Sequence, residues 1–121
     1  MATYSKHDLS ESTDGRGIDI AATATAGTLI HEATAVVADY DEVWLYASND
    51  TASDEILVIE WGVDAQEEIW QTIAGRSGLA LVIPGLLLQG NATELVVRGY
   101  NSGGASGRIT VFGFVNRIDD A

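Results

Sequence analysis

The chain has no cysteine, one proline, and only six basic residues against eighteen acidic ones. Without cysteine there can be no disulfide, no thiolate zinc site and no cysteine nucleophile. The imbalance leaves a formal net charge of −12. Such a field repels phosphate backbones and anionic headgroups, so neither a nucleic-acid partner nor a membrane is expected. It does favour solubility and complements a basic partner. Long apolar runs are also missing. The longest, residues 78–88, is broken by Pro84-Gly85 and is too short to cross a bilayer. The N-terminal residues lack the apolar core of a signal peptide, so synthesis in a cytoplasm is expected. Only two histidines occur, His7 and His31, and neither stands in the HxH or HExxH spacing that binds zinc.

What is present is β-rich. The 121 residues are 46% hydrophobic with thirteen glycines, a composition and length that suit one globular domain with many tight turns. Glu42–Ser48 places Val43, Leu45 and Ala47 on one face of a strand, with Trp44 and Tyr46 on the other. Residues 55–61 are apolar on both faces, as in a strand covered from two sides. In residues 67–73, Ile69, Gln71 and Ile73 oppose Trp70 and Thr72. Further strands are read over 17–25, 28–33, 79–83, 94–100 and 108–118, the penultimate ending in Tyr100 and the one before it at the Pro84-Gly85 turn pair. The Asn49–Asp54 and Asn101–Gly107 turns predict two hairpins, 42–48 with 55–61 and 94–100 with 108–118. About eight short strands at this spacing predict an all-β fold. It is expected to be an antiparallel β-sandwich, jelly-roll-like or immunoglobulin-like, because the gaps are too short for crossover helices. Residues 1–16 are polar and aperiodic and read as an extended N-terminal arm, leaving residues 17–121 as the sandwich domain.

Little of the sequence suits catalysis. His31 lies in an apolar strand, where a hydrogen-bonded structural role is the ordinary one. Carboxylates cluster at Asp39/Asp41/Glu42, Asp50/Asp54/Glu55 and Asp64/Glu67/Glu68. None has EF-hand spacing, and Asp belongs in turns for conformational reasons. Gly75-Arg76-Ser77-Gly78 lacks the lysine of a phosphate loop. No enzyme activity, metal or cofactor is therefore expected. The asparagines of Asn49-Asp50-Thr51 and Asn91-Ala92-Thr93 match the glycosylation sequon by chance. The aromatic residues are the more informative set. Trp44 and Tyr46 share a face, and whether that face is core or interface stays open at this point; a tryptophan on an outer face would be a contact anchor.

Five stretches carry a resemblance: Ser12–Gly17, Asp41–Ala47, Ile59–Gly62, Val82–Leu86 and Gly113–Ile118. They are similar to small all-β virion proteins of tailed bacteriophages, among them capsid decoration (cement) proteins. The resemblance implies a non-enzymatic virion structural protein that decorates and stabilises the outer capsid surface. Its partners would be the major capsid protein and copies of itself, as a homotrimer. The alternatives are a tail, head-tail connector or fibre component and, from another class, a carbohydrate-binding module that stacks sugars on its tryptophans. The residues expected to meet a partner are Tyr4, Lys6 and Arg16 of the arm, with Trp44, Tyr46 and Trp70 of the sandwich.

Overall fold

The computed structural model describes residues 2–63, 67–93 and 95–119. The described residues contain nine strands: β1 (Thr3–Asp8), β2 (Ile18–Asp19), β3 (Thr28–Glu32), β4 (Asp39–Asn49), β5 (Glu55–Gly62), β6 (Glu68–Ile73), β7 (Ala80–Gln89), β8 (Val96–Asn101) and β9 (Ile109–Asp119). They form two antiparallel sheets. Sheet A has the order β1-β9-β4-β7, with β2 also paired to β9, and sheet B has the order β3-β8-β5-β6.

The pairings are nested. β1 and β2 pair with β9, β3 with β8, β4 with β7, and β5 with β6. The chain is thus one long two-stranded ribbon. It is rolled so that β4 also meets β9 and β5 also meets β8. With β1 and β2 counted as one interrupted strand, this is the eight-stranded jelly roll. It selects between the two sandwich types that the strand spacing left open.

Side-chain alternation builds the core. β4 reads buried at every second residue from Asp41 to Asn49, so Val43, Leu45 and Ala47 face inward. They meet Val111 and Val115 of β9 and, from sheet B, Leu57, Ile59, Ile73 and Val97. Trp61 packs at the margin of this core. On β5, Val58 and Glu60 point outward yet are buried. The segment from Ala21 to Gly27 crosses there, with Gly27 N–H donating to Glu60 Oε1 at 2.6 Å and Asn101 N–H to the Ala22 carbonyl at 3.0 Å. The double burial expected for this strand is real, but its outer cover is a loop.

Four local expectations need correction. The two hairpins do not form, because β4 and β9 lie in sheet A while β5 and β8 lie in sheet B. The turns at Asn49–Asp54 and Asn101–Gly107 carry the chain from one sheet to the other. Pro84-Gly85 does not end a strand. β7 runs through it as an edge strand, with register shifts on both sides of Trp44-Leu45 and with Gly85 at φ 78°. An edge strand tolerates the missing N–H of proline. Of residues 17–25, only Ile18-Asp19 pairs as strand.

The segment read as an extended N-terminal arm is extended, but it is part of the sandwich. Thr3–Asp8 pairs with Phe114–Asp119 along its whole length. Leu9 is then inserted into the core at 1% exposure. A polar, aperiodic sequence suffices for an edge strand held through its backbone, which is why no periodicity announced it.

Candidate functional site

The outer face of sheet A gathers four of the six residues expected to meet a partner. Strand register places Tyr4 beside Ile118 and Ile118 beside Tyr40, then Lys6 beside Asn116 and Asn116 beside Glu42. Further along, Phe114 lies opposite Trp44 and Phe112 opposite Tyr46. On β7, Leu87 stands opposite Glu42 and Leu81 opposite Tyr46. The aromatic face of β4 is therefore an outer face, not the core.

Its centre is a stack that crosses four strands. The Trp44 and Phe114 rings lie 6.2 Å apart at 13°. The Lys6 ammonium sits 4.6 Å from the Phe114 centroid. Because β9 lies between β1 and β4, ammonium and indole take opposite faces of that ring. On the far side of Trp44, Gly85 approaches so closely that a Cβ there would come within 2.8 Å of the indole. The rings are thus clamped between neighbours, with aromatic and cation–π contacts tying β7, β4, β9 and β1 together. Glu42 closes the stack at its polar side. Its Oε1 accepts from Asn116 Nδ2 at 2.9 Å and from Trp44 Nε1 at 2.8 Å. These two bonds, that from Asn116 foremost, lower the carboxyl below its ordinary range, so Glu42 is ionised.

Between the sheets lies a second polar group. His31 and Asp41 are 1% and 0% exposed, with Nε2 and Oδ2 2.8 Å apart. Arg117 donates to the same carboxylate through Nε at 2.8 Å and Nη2 at 3.1 Å. The other imidazole nitrogen, Nδ1, accepts the Ser10 backbone N–H at 3.0 Å. That assigns the hydrogen to Nε2, which donates to Asp41. Burial alone would raise the Asp41 carboxyl, but the bonds from His31 and Arg117 outweigh it and bring it from 3.8 to about 2. Both nitrogens of His31 are engaged within the fold, one by the Ser10 N–H and the other by the Asp41 carboxylate. The arrangement is a structural clasp joining the end of β1 to β3, β4 and β9.

Under the Ala21–Gly27 segment, Arg98 donates to the Gly27 carbonyl at 3.1 Å, and the Tyr100 hydroxyl donates to Glu68 Oε2 at 2.9 Å. Burial, and then the Glu68 bond, raise the Tyr100 phenol.

The remaining expected contacts lie elsewhere. Trp70 is on the opposite side of the molecule, on the outer face of β6, and is 57% exposed. Arg16 ends a turn in the loop between β1 and β2, its N–H donating to the Thr13 carbonyl at 3.0 Å. Asp50 and Asp54 are engaged separately, Asp50 with Arg108 at 3.5 Å and Asp54 with the Gly75 N–H at 3.3 Å. Asp64 lies outside the described residues. Among the described residues, no group of three or more His, Cys, Asp or Glu could hold a metal ion. Asn49 is 2% exposed, and its amide donates to the Ser53 and Ile73 carbonyls. Its side chain serves the fold.

Phe112, Phe114 and Asn116 belong to the outer face but were not singled out from sequence, and Glu42 was noted only as part of an acidic cluster. Phe112 and Phe114 share a parity along residues 108–118, which marks a common face. Which strand lies beside them is not a local property, so their meeting with Trp44 and Tyr46 was hidden. No family model, no curated protein and no solved structure matches the chain.

Proposed function

We propose that this protein is a non-enzymatic virion structural protein that decorates and stabilises the outer surface of a bacteriophage capsid, as a homotrimer bound to the major capsid protein. The observation that carries the reading is the division of labour in the surface. The buried polar side chains serve the fold, while the broad outer face of sheet A presents Tyr4, Tyr40, Tyr46, Phe112, Leu87 and Ile118, with Lys6, Asp8 and Glu42 as charged side chains in the same rows. Such a face suits a protein partner, whose hot spots favour aromatic anchors. Three of the stretches that resemble phage virion proteins, those containing Trp44, Gly85 and Phe114, lie on adjacent strands and supply the central stack. Jelly rolls serve in both viral shells and lectins, so the choice rests on the surface. A sugar needs a free ring face. Phe114 has Trp44 on one side and Lys6 on the other, and Gly85 closes on Trp44. The carbohydrate-binding alternative therefore depends on Trp70.

The deciding experiment is the copy number of the protein in purified particles of the phage that encodes it, by quantitative mass spectrometry. Hundreds of copies per particle are expected. A handful would move the protein to the tail or connector, and its absence would refute the virion reading.

A further inference from the structure

We propose that the free edge of β7 is a self-association surface, covered by the β7 edge of a neighbouring copy around a symmetry axis. β7 is an edge of sheet A, and it is unusual in two respects. It is ten residues long with the sequence ALVIPGLLLQ, and it leaves Leu81, Leu86 and Leu87 at 47%, 41% and 54% exposure. Leu79 precedes it at 61%. At its far end, Gln89 Nε2 donates to the Val37 carbonyl at 3.0 Å, and Gly90 packs on the Val36 carbonyl. That brings Val36 and Val37, each 55% exposed, next to the end of the strand. The result is a set of exposed apolar residues spread along the strand, Leu81 and Leu87 on its outer face and Leu86 beside Leu87.

Long apolar edges invite pairing, and solitary proteins blunt them with charge. The other edges here carry it: Lys6 and Asp8 on β1, Asp19 on β2, Glu32 on β3, and Glu68 on β6. β7 alone among the described edge strands has no ionisable residue. That contrast identifies the occupant. Two copies of a chain with net charge −12 repel wherever their acidic surfaces meet, and the β7 edge is where two copies can approach without opposing carboxylates. A basic partner, in contrast, would seek the acidic surface. The edge is also self-complementary under cyclic symmetry, since every copy brings the same residues to the axis. Pro84, with no N–H to offer, and the two register shifts limit continuous backbone pairing. The contact is accordingly made chiefly by side chains, Leu81 and Leu87 foremost.

This inference deepens the homotrimer of the proposed function and is separate from capsid attachment, which copy number in particles tests, because it concerns the isolated chain. The test is sedimentation equilibrium with light scattering on the full chain at about 20 mM and about 0.5 M salt, where screening differs strongly. Wild type should be oligomeric, and its association should tighten with salt as like-charge repulsion is screened. Leu81→Glu and Leu87→Glu should each weaken association by roughly 30-fold or more, as loss of a central apolar contact does, while circular dichroism stays unchanged. Leu86→Ser, which removes apolar area without adding charge, should act in the same direction. Trp70→Ser, an exposed change on the other sheet, should leave the mass distribution as it was. A monomeric wild type at both salts would overturn the proposal. So would an oligomer indifferent to the β7 variants, one dissolved by Trp70→Ser, or association that weakens with salt.

Discussion

Replacing Asp41 by asparagine should remove a pH-dependent part of this protein's stability whose size follows from the clasp around it. Asp41 is fully buried and held by Arg117 and His31. Its carboxyl titrates at about 2 in the fold, against 3.8 ordinarily, a difference worth about 2 kcal/mol. Because the folded value is the lower one, this stabilisation is fully present above the unfolded value. It is lost as the pH falls from 3.8 through about 2. Asparagine keeps the shape and one acceptor but leaves Arg117 without its countercharge, at a cost of about 3 kcal/mol at neutral pH. The assay is urea unfolding of wild type and Asp41→Asn across pH 6 to 2. Seventeen other acidic residues remain of the eighteen, and they titrate in both proteins. Their contribution cancels in the difference between the two curves. That difference should be about 3 kcal/mol at pH 6 and about 1 kcal/mol at pH 2. Parallel curves, separated by a constant amount throughout, would show that the Asp41 carboxylate is not preferentially stabilised by the fold.

Two other substitutions probe the architecture. Gly113→Ala should destabilise the protein by more than about 4 kcal/mol, read by urea or thermal unfolding, because the added Cβ meets the Trp44 carbonyl and the Leu45 Cα of the adjacent strand; a loss below about 1 kcal/mol would mean that β4 and β9 are less closely paired there. Leu9→Ala should cost about 3 kcal/mol and raise amide hydrogen exchange in Thr3–Asp8 above that of β4, since Leu9 and the Ser10–His31 bond anchor that strand; unchanged exchange in β1 would show that pairing with β9 holds it unaided.

How much of this was legible beforehand depended on the range of the interaction involved. Alternation within a strand is local, so the two faces of residues 42–48 and 67–73 were readable, and both are as expected. A backbone-held strand has no side-chain pattern, so Thr3–Asp8 was unreadable as β1. A turn sequence specifies a change of direction but not whether the chain returns to the same sheet. That is why Asn49–Asp54 and Asn101–Gly107 read as hairpins and proved to be crossings.

The sequence by itself determined the all-β class, the inward and outward rows of the main strands, the acidic charge and the absence of cysteine chemistry, because composition and period-two patterning are properties of the chain alone. Only the tertiary structure decided that the aromatic row of β4 lies outside, with Gly85, Trp44, Phe114 and Lys6 stacked across four strands. It likewise decided that His31, Asp41 and Arg117, spread from residue 31 to residue 117, close into one clasp. Both depend on which strands become neighbours when the ribbon rolls up. That choice is made by burying the whole apolar surface at once, and no local stretch of sequence contains it.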